Sequence, residues 1–320
     1  MKGVVFLLLT LIPWIFSCTG DDTPYIAFFI SGEGRQSKVE GFKQAMKDMG
    51  VSIKYDLYDG QNNLRKIEEI AQQIALQENR YRLVAVGGSL EAYYLKKAKP
   101  NFSKPIVIMG GTAVKVWGLT QDFGKPTNGV TGVDNQNAEL MEKRLEIFKK
   151  FFPHVKKAVV FCTPKFEASR YATRLTVKAG EKIGIKVVPV SVRDLRDLEY
   201  VMANMKKDGF SAVIITPCFY TENFLTTYIL QLANFYQIPV MCLSPDQAAR
   251  GCPVAYGSSG FEQGYQAAHI ALRLLRGDPV ESVPFEKVRT VHLAVNMRAL
   301  RELGYTYDRK ALDFADIVYR

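Results

Sequence analysis

From Tyr25 onward one rhythm governs the chain: a short apolar run, a turn, then a stretch with apolar residues every three or four positions. "YIAFFI" breaks at "SGEG", after which Val39, Phe42, Met46 and Met49 line one helical face until Gly50 ends it. "VSIKYDLYD" follows, then a helix carrying Leu64, Ile67, Ile70, Ala71 and Ile74; "RLVAVGG", another helix, "KPIVIMGG" and "GVTGV" complete the series. Continuous apolar strands separated by helices predict an α/β unit whose parallel sheet is covered on both faces, because each crossover lays a helix across the sheet.

The rhythm then restarts. A helix "NAELMEKRLEIFKKFF" leads to strands "KAVVFC", "IKVVPV", "SAVIIT" and "IPVMCL" with helices between them. "FKQAMKDMGVSIKYDLYD" and "VKAGEKIGIKVVPVSV" each end a helix at glycine, Gly50 or Gly184, and run straight into an apolar strand. A chain of 320 residues exceeds one ordinary core, so two doubly wound parallel-sheet lobes are expected. With 48% hydrophobic and 23% charged residues, disorder and a multi-span membrane protein are excluded. No flexible linker separates the halves, so the join near residues 134–136 is a direct crossover. If the chain crosses back after "CPVAYGSSG" and again near "FEKVRTVHLAV", three straps hinge the lobes.

The N-terminus speaks to compartment. Lys2 precedes an apolar stretch of 13 residues, Val4 to Phe16, too short to span a bilayer and of the length of a signal-peptide core. "IFSC" resembles a lipoprotein box, which implies cleavage before Cys18 and lipid on its thiol. Residues 1–17 are therefore expected to be a signal peptide and 18–24 a lipidated tether, in which residues 19–24 reach at most roughly 20 Å. Cys162, Cys218, Cys242 and Cys252 remain, and an oxidising compartment leaves three pairings open beside the plain reading of small hydrophobes at strand ends.

Chemistry is sparse. His154, His269 and His292 stand alone, without metal-pair spacing, and neither a nucleophile elbow nor a phosphate-binding loop occurs. Neither a metal, a cofactor nor an enzyme is expected. The net charge of +10 is spread along helix-like segments instead of concentrating in one stripe, so nucleic acid is not an expected partner. What recurs is small and polar residues just after predicted strands: Ser31 and Gly32, Gly88 and Ser89, Gly111 and Thr112, Asp134 and Asn135, Thr163, Thr216, Ser244 and Asp246. Each alone suits a turn or helix cap. Together they suit a ligand site, because open parallel sheets bind beyond the carboxyl ends of their strands. Phe166, Phe219, Tyr220 and Tyr256 lie close by in sequence and could sandwich an apolar or aromatic group.

Four stretches carry a family resemblance. "NGVTGVDNQNAELMEKRLEIFKKFFP", "VVFCTPKFEASRYAT", "QIPVMCLSPDQAARGCPVAYGSSGFEQGYQAA" and "PFEKVRTVHLAVNMRALRELGY" are similar to segments of the type 1 periplasmic binding proteins. Within these they resemble the ABC-transporter substrate-binding group that includes tryptophan- and tyrosine-binding lipoproteins. The resemblance implies two lobes, 25–134 plus 257–286 and 135–256 plus 287–320, joined by three crossovers and closing on a solute. It carries ligand contacts onto Ser31, Gly32, Gly88, Ser89, Glu167, Ala168 and Ser169. With Gly111, Thr112, Asp134, Thr163, Phe219, Tyr220 and Asp246 from the strand-end array, these are the expected ligand-binding residues. The expected protein is a monomeric periplasmic or cell-surface lipoprotein, tethered to the membrane through Cys18, that hands a small polar solute to an ABC permease. An amino acid, among them an aromatic one, fits that description. A sensor module presenting its ligand to a signalling receptor is the alternative on the same fold.

Overall fold

The computed structural model describes residues 23–162, 165–302, 304 and 306–320, with only the backbone of Asn223. Cys18 and Thr163, two of the expected functional residues, lie outside the described residues. The first series forms β1 (Tyr25–Ile30), α1 (Gln36–Asp48), β2 (Lys54–Asp59), α2 (Leu64–Leu76), β3 (Leu83–Val86), α3 (Ser89–Ala98), β4 (Ile106–Gly111) and β5 (Val130–Asp134). The second forms α4 (Met141–Phe151), β6 (Lys157–Cys162), α5 (Glu167–Ile183), β7 (Lys186–Ser191), α6 (Leu195–Asn204), β8 (Ala212–Ile214), α7 (Thr226–Tyr236), β9 (Val240–Cys242), α8 (Pro245–Ala249) and β10 (Val254–Gly257). There follow α9 (Gly260–Leu275), β11 (Glu286–Lys287), β12 (His292–Asn296), α10 (Met297–Glu302) and β13 (Ile317–Tyr319).

Two sheets result, ordered β11-β5-β4-β3-β1-β2 and β13-β12-β10-β9-β8-β6-β7. Every pairing is parallel except β10 with β12. The chain passes between the sheets three times, after β5, β10 and β11. Alternation along β1 explains how a continuous apolar run serves two layers: Ala27 and Phe29 pack with Ile67, Ile74 and Leu95 of α2 and α3, while Ile26, Phe28 and Ile30 pack with α1 and α9. Both phenylalanines are fully buried, each contributing about 1.5–3 kcal/mol of apolar burial. α9 thus covers the first sheet, although it follows β10 of the second. Glycines set its distance from α1. A β-carbon on Gly41 would lie 2.0 Å from the Phe261 carbonyl oxygen, and one on Gly264 would lie 1.8 Å from that of Lys38.

Cys242 and Cys252 form a disulfide across the loop that contains α8, whereas Cys162 and Cys218 are not disulfide-bonded. A loop this short constrains the unfolded chain by about 2–3 kcal/mol in the chain-entropy account.

The first crossing is fastened by Arg144, whose side chain is fully buried. Its guanidinium donates to the Asn137 carbonyl (2.5 Å) and Asn137 Oδ1 (2.6 Å), to the Leu243 carbonyl at the end of β9 (3.1 Å) and to the Tyr256 carbonyl in β10 (2.7 Å). Burial lowers its pKa to about 9, so it stays charged at neutral pH. Replacing it by methionine leaves these acceptors dry and unmatched, an expected loss of about 3 kcal/mol or more in denaturant unfolding. R144K keeps the charge but not the planar fork and should recover less than half of that loss. A methionine variant as stable as the wild type would show that Arg144 is not a fastening.

Candidate ligand-binding cleft

Parallel strands aim their carboxyl ends in one direction, and the two sheets turn these edges toward each other. Three contacts establish this. Trp117, after β4, lies 5.3 Å from Phe166, just before α5, measured between ring centroids. Phe219, after β8, is buried in the apolar cluster of the first sheet, and Phe224 packs against the clusters of both sheets. Asp246 Oδ2, on α8, accepts a 2.7 Å hydrogen bond from the backbone N–H of Gly260 at the start of α9.

On the first sheet's edge the expected residues come together. Ser31 is buried; its N–H donates to Glu91 Oε1 (2.8 Å) and its Oγ accepts from Arg35 Nε (2.8 Å). Arg35 also meets Glu91 at 3.2 Å and donates to the Gly87 carbonyl at 3.0 Å, lying flat over Gly88 where a β-carbon would collide with Nη1 at 2.6 Å. Asn62 occupies the equivalent space over Gly32. Ser89 Oγ donates to the Thr112 carbonyl, and Thr112 Oγ1 to Asn135 Oδ1, both at 2.9 Å; Gly111 leaves room for the Ser89 hydroxyl, 2.7 Å from its would-be β-carbon. Asp134 is buried and caps the backbone N–H of Gln136 at 2.9 Å; burial pushes its pKa up to about 6.

The second sheet's residues divide. Ala168 and Ser169 are buried at the start of α5, Ser169 Oγ donating to Cys218 Sγ at 3.2 Å. Glu167 faces outward in ion pairs with Arg170 (2.6 Å) and Arg174 (2.8 Å), whose hydrogen bonds hold its carboxyl below the usual range. Tyr220 turns away to the Arg193 carbonyl (3.3 Å) and stacks on Phe224 at 5.0 Å.

Between the edges lies an inner cavity of about 50 Å³, lined by Arg35, Lys38, Asn135, Glu222, Asp246 and Gln263 among others. Outside it opens a groove of about 870 Å³ that shares Gly34, Glu222 and Arg250 with the inner cavity. Among the described residues no cluster of histidines, cysteines or carboxylates suits a metal ion.

Lys38 and Glu222 were not among the residues expected from sequence. Lys38 is 5% exposed and donates to the carbonyls of Gly87 and Gly110, both at 2.8 Å, tying α1 to the ends of β3 and β4. Its signal was available: it shares a helical stripe with Phe42 and Ala45, and a lysine inside an apolar stripe is a question in itself. Glu222 sits in a single-turn π-helix, Thr221–Leu225, where sequence periodicity predicts an ordinary helix start.

Burial is the main cause of a Lys38 pKa pushed down to about 7, with Arg35 second; Glu222, Glu91 and Asp246 pull the other way. A cation with a lowered folded pKa binds fewer protons folded than unfolded. Its contribution to stability is therefore flat below pH 7 and rises from there toward the ordinary lysine value of 10.5, by at most about 1.4 kcal/mol per unit. Denaturant unfolding from pH 6 to 9.5 should show the wild type gaining on a K38M variant only above pH 7. A difference constant with pH would contradict a buried, proton-releasing lysine.

Comparison with known proteins meets this geometry. A family model described as ABC transporter substrate binding protein matches residues 25–318. A tyrosine-binding protein of Clostridioides difficile is 23% identical over 274 residues, covering 82% of this chain and 75% of its own length. A conserved domain protein from Vibrio cholerae superimposes with a TM-score of 0.83 at 20% identity, covering 92% of this chain and 99% of that one. An ABC domain from Streptococcus pneumoniae, solved in complex with L-Trp, gives 0.80 at 18% identity with the same coverage. These structures share the fold, and the family whose model matches consists of solute-binding proteins, not enzymes. The chain belongs to the ABC transporter substrate-binding protein family.

Proposed function

We propose that this chain captures an amino acid outside the cytoplasm and delivers it to an ABC permease. Two lobes, residues 25–134 plus 257–286 and 135–256 plus 287–320, close about the three crossings on a solute held between the sheet edges, and lipid on Cys18 keeps the protein at the membrane. The observation that carries the ligand class is the make-up of the facing edges, which hold the charged side chains of Lys38, Arg35 and Glu222 around the inner cavity and, apart from that lining, a cross-sheet aromatic cluster of Trp117, Phe166, Phe219 and Phe224. Aromatic amino acids match both halves, which accords with the L-Trp complex and the tyrosine-binding relative. Expected ligand contacts at Ser31, Gly32, Gly88, Ser89, Gly111, Thr112, Thr163, Ala168 and Ser169 belong to this reading. Closure requires only that the solute prefer the closed form by a few kcal/mol.

Thermal melting against amino acids, nucleosides and sugars tests the reading. At a hundredfold excess over its Kd, a true ligand adds about 2.7 kcal/mol and raises the melting temperature by several degrees. If sugars or nucleosides did so and amino acids did not, the ligand class proposed here would be wrong. Co-purification of a permease supports transport; a receptor kinase in its place would favour sensing.

Metabolic labelling with a fatty-acid analogue tests the anchor. The wild type is expected to take up label and partition with membranes, and C18A to do neither. Equal labelling of both would remove the anchor from the account.

A further inference from the structure

Closing the cleft takes charges out of water, and a charge removed from water without a counter-charge is costly. The inner cavity carries charged groups with hydrogen-bonding capacity left over on opposing walls. On the first sheet's side stand Lys38, with one ammonium N–H beyond its two carbonyl bonds, and Arg35, whose Nη2 makes no hydrogen bond among the described residues. Across from them stands Glu222, whose carboxylate has no ion pair or side-chain hydrogen bond among the described residues. Gln263, 5% exposed, adds an acceptor: its Oε1 is buried without a hydrogen-bond partner while its Nε2 is spent on the Ser258 carbonyl at 3.2 Å.

We propose that this cavity receives the head group of a zwitterionic solute, with Lys38 and Arg35 taking its carboxylate and Glu222 with Gln263 Oε1 taking its ammonium. The assignment deepens the amino-acid reading above and rests on it.

Volume and charge agree. About 50 Å³ accommodates a group of a few heavy atoms and nothing larger, since one water needs roughly 10–15 Å³ on this measure. The charged groups facing Lys38 are Arg35 on the turn before α1, Glu91 on α3, Glu222 in the π-turn and Asp246 on α8. Counting Arg250 on the cavity wall, three cations face three anions. A solute of zero net charge with separated ends satisfies both walls, whereas a bare acid or amine leaves one wall unmatched. A sugar offers no full charge to either. A carboxylate beside Lys38 also holds its proton in place, so binding takes up protons above pH 7, where the empty cleft has released them.

Isothermal titration calorimetry on the full-length protein decides the matter. The twenty L-amino acids are titrated first, and the tightest is then compared with its amide and its N-acetyl derivative, in wild type, K38M, K38R and E222Q. Each derivative is expected to bind at least about tenfold more weakly than the parent. K38M should lose comparably, K38R should recover most of the loss, and E222Q should cease to distinguish the parent from its N-acetyl form. At pH 8.5, buffers of different ionisation enthalpy should reveal proton uptake in the wild type and none in K38M. An amino acid bound equally by wild type, K38M and E222Q overturns the head-group assignment and leaves the amino-acid reading standing. A wild type that binds no amino acid in the panel overturns both, and circular dichroism of each variant separates lost binding from lost fold.

Discussion

One chain of hydrogen bonds sets the relation of the two sheets. It begins at the Gly110 carbonyl at the end of β4, which accepts from Asn135 Nδ2 at 3.3 Å, and continues from Asn135 Oδ1 to the Asn137 N–H at 3.0 Å. Asn137 then passes it to the buried guanidinium of Arg144, which ends on the last carbonyls of β9 and β10. A planar fork with several fixed donors suits this task, because it satisfies acceptors from three segments at once, with Glu222 and Glu139 near enough to favour its charge. The crossing after β11 is tied by other bonds: the Val288 N–H donates to the Asp134 carbonyl at 2.9 Å, and Gln266 holds the Lys287 carbonyl and the Arg289 N–H.

From that geometry the electrostatics of the cleft follow. The first sheet's edge spends its hydroxyls on itself: Ser31, Ser89 and Thr112 are all engaged in internal bonds. The third ammonium N–H of Lys38, the Nη2 of Arg35 and the Glu222 carboxylate make no such bonds among the described residues. Asp246, bound to the start of α9, contributes to holding the edges together.

Much of the fold was legible in advance for a definite physical reason. Parallel strands buried on both faces read as uninterrupted apolar runs, and the glycines that end their helices mark each return to the sheet. Positions at strand ends were legible as well, so Ser31, Gly88, Ser89 and Gly111 could be named from their place in the rhythm. The chemistry was less so. Lys38 carried only the hint of its place in an apolar stripe, since its burial depends on α9, far along the chain, packing against it. The π-turn at Thr221–Leu225 has no periodicity to betray it, and pairing of Cys242 with Cys252 was one of three arrangements until the loop was seen. Glu167, carried over from a family resemblance, meets two arginines three and seven residues onward, a local pairing that spacing on α5 permits.

The central claim is that solute is held where the two edges meet, and Trp117 stands in that contact. Trp14 falls within the expected signal peptide, so in a chain that begins at Cys18 Trp117 is the single tryptophan and its emission reports the junction alone. Titration of this chain with a solute that stabilises it should shift the Trp117 emission saturably, at the same midpoint as binding. A solute that binds and stabilises while leaving the Trp117 spectrum unchanged would place the site somewhere other than between the sheets.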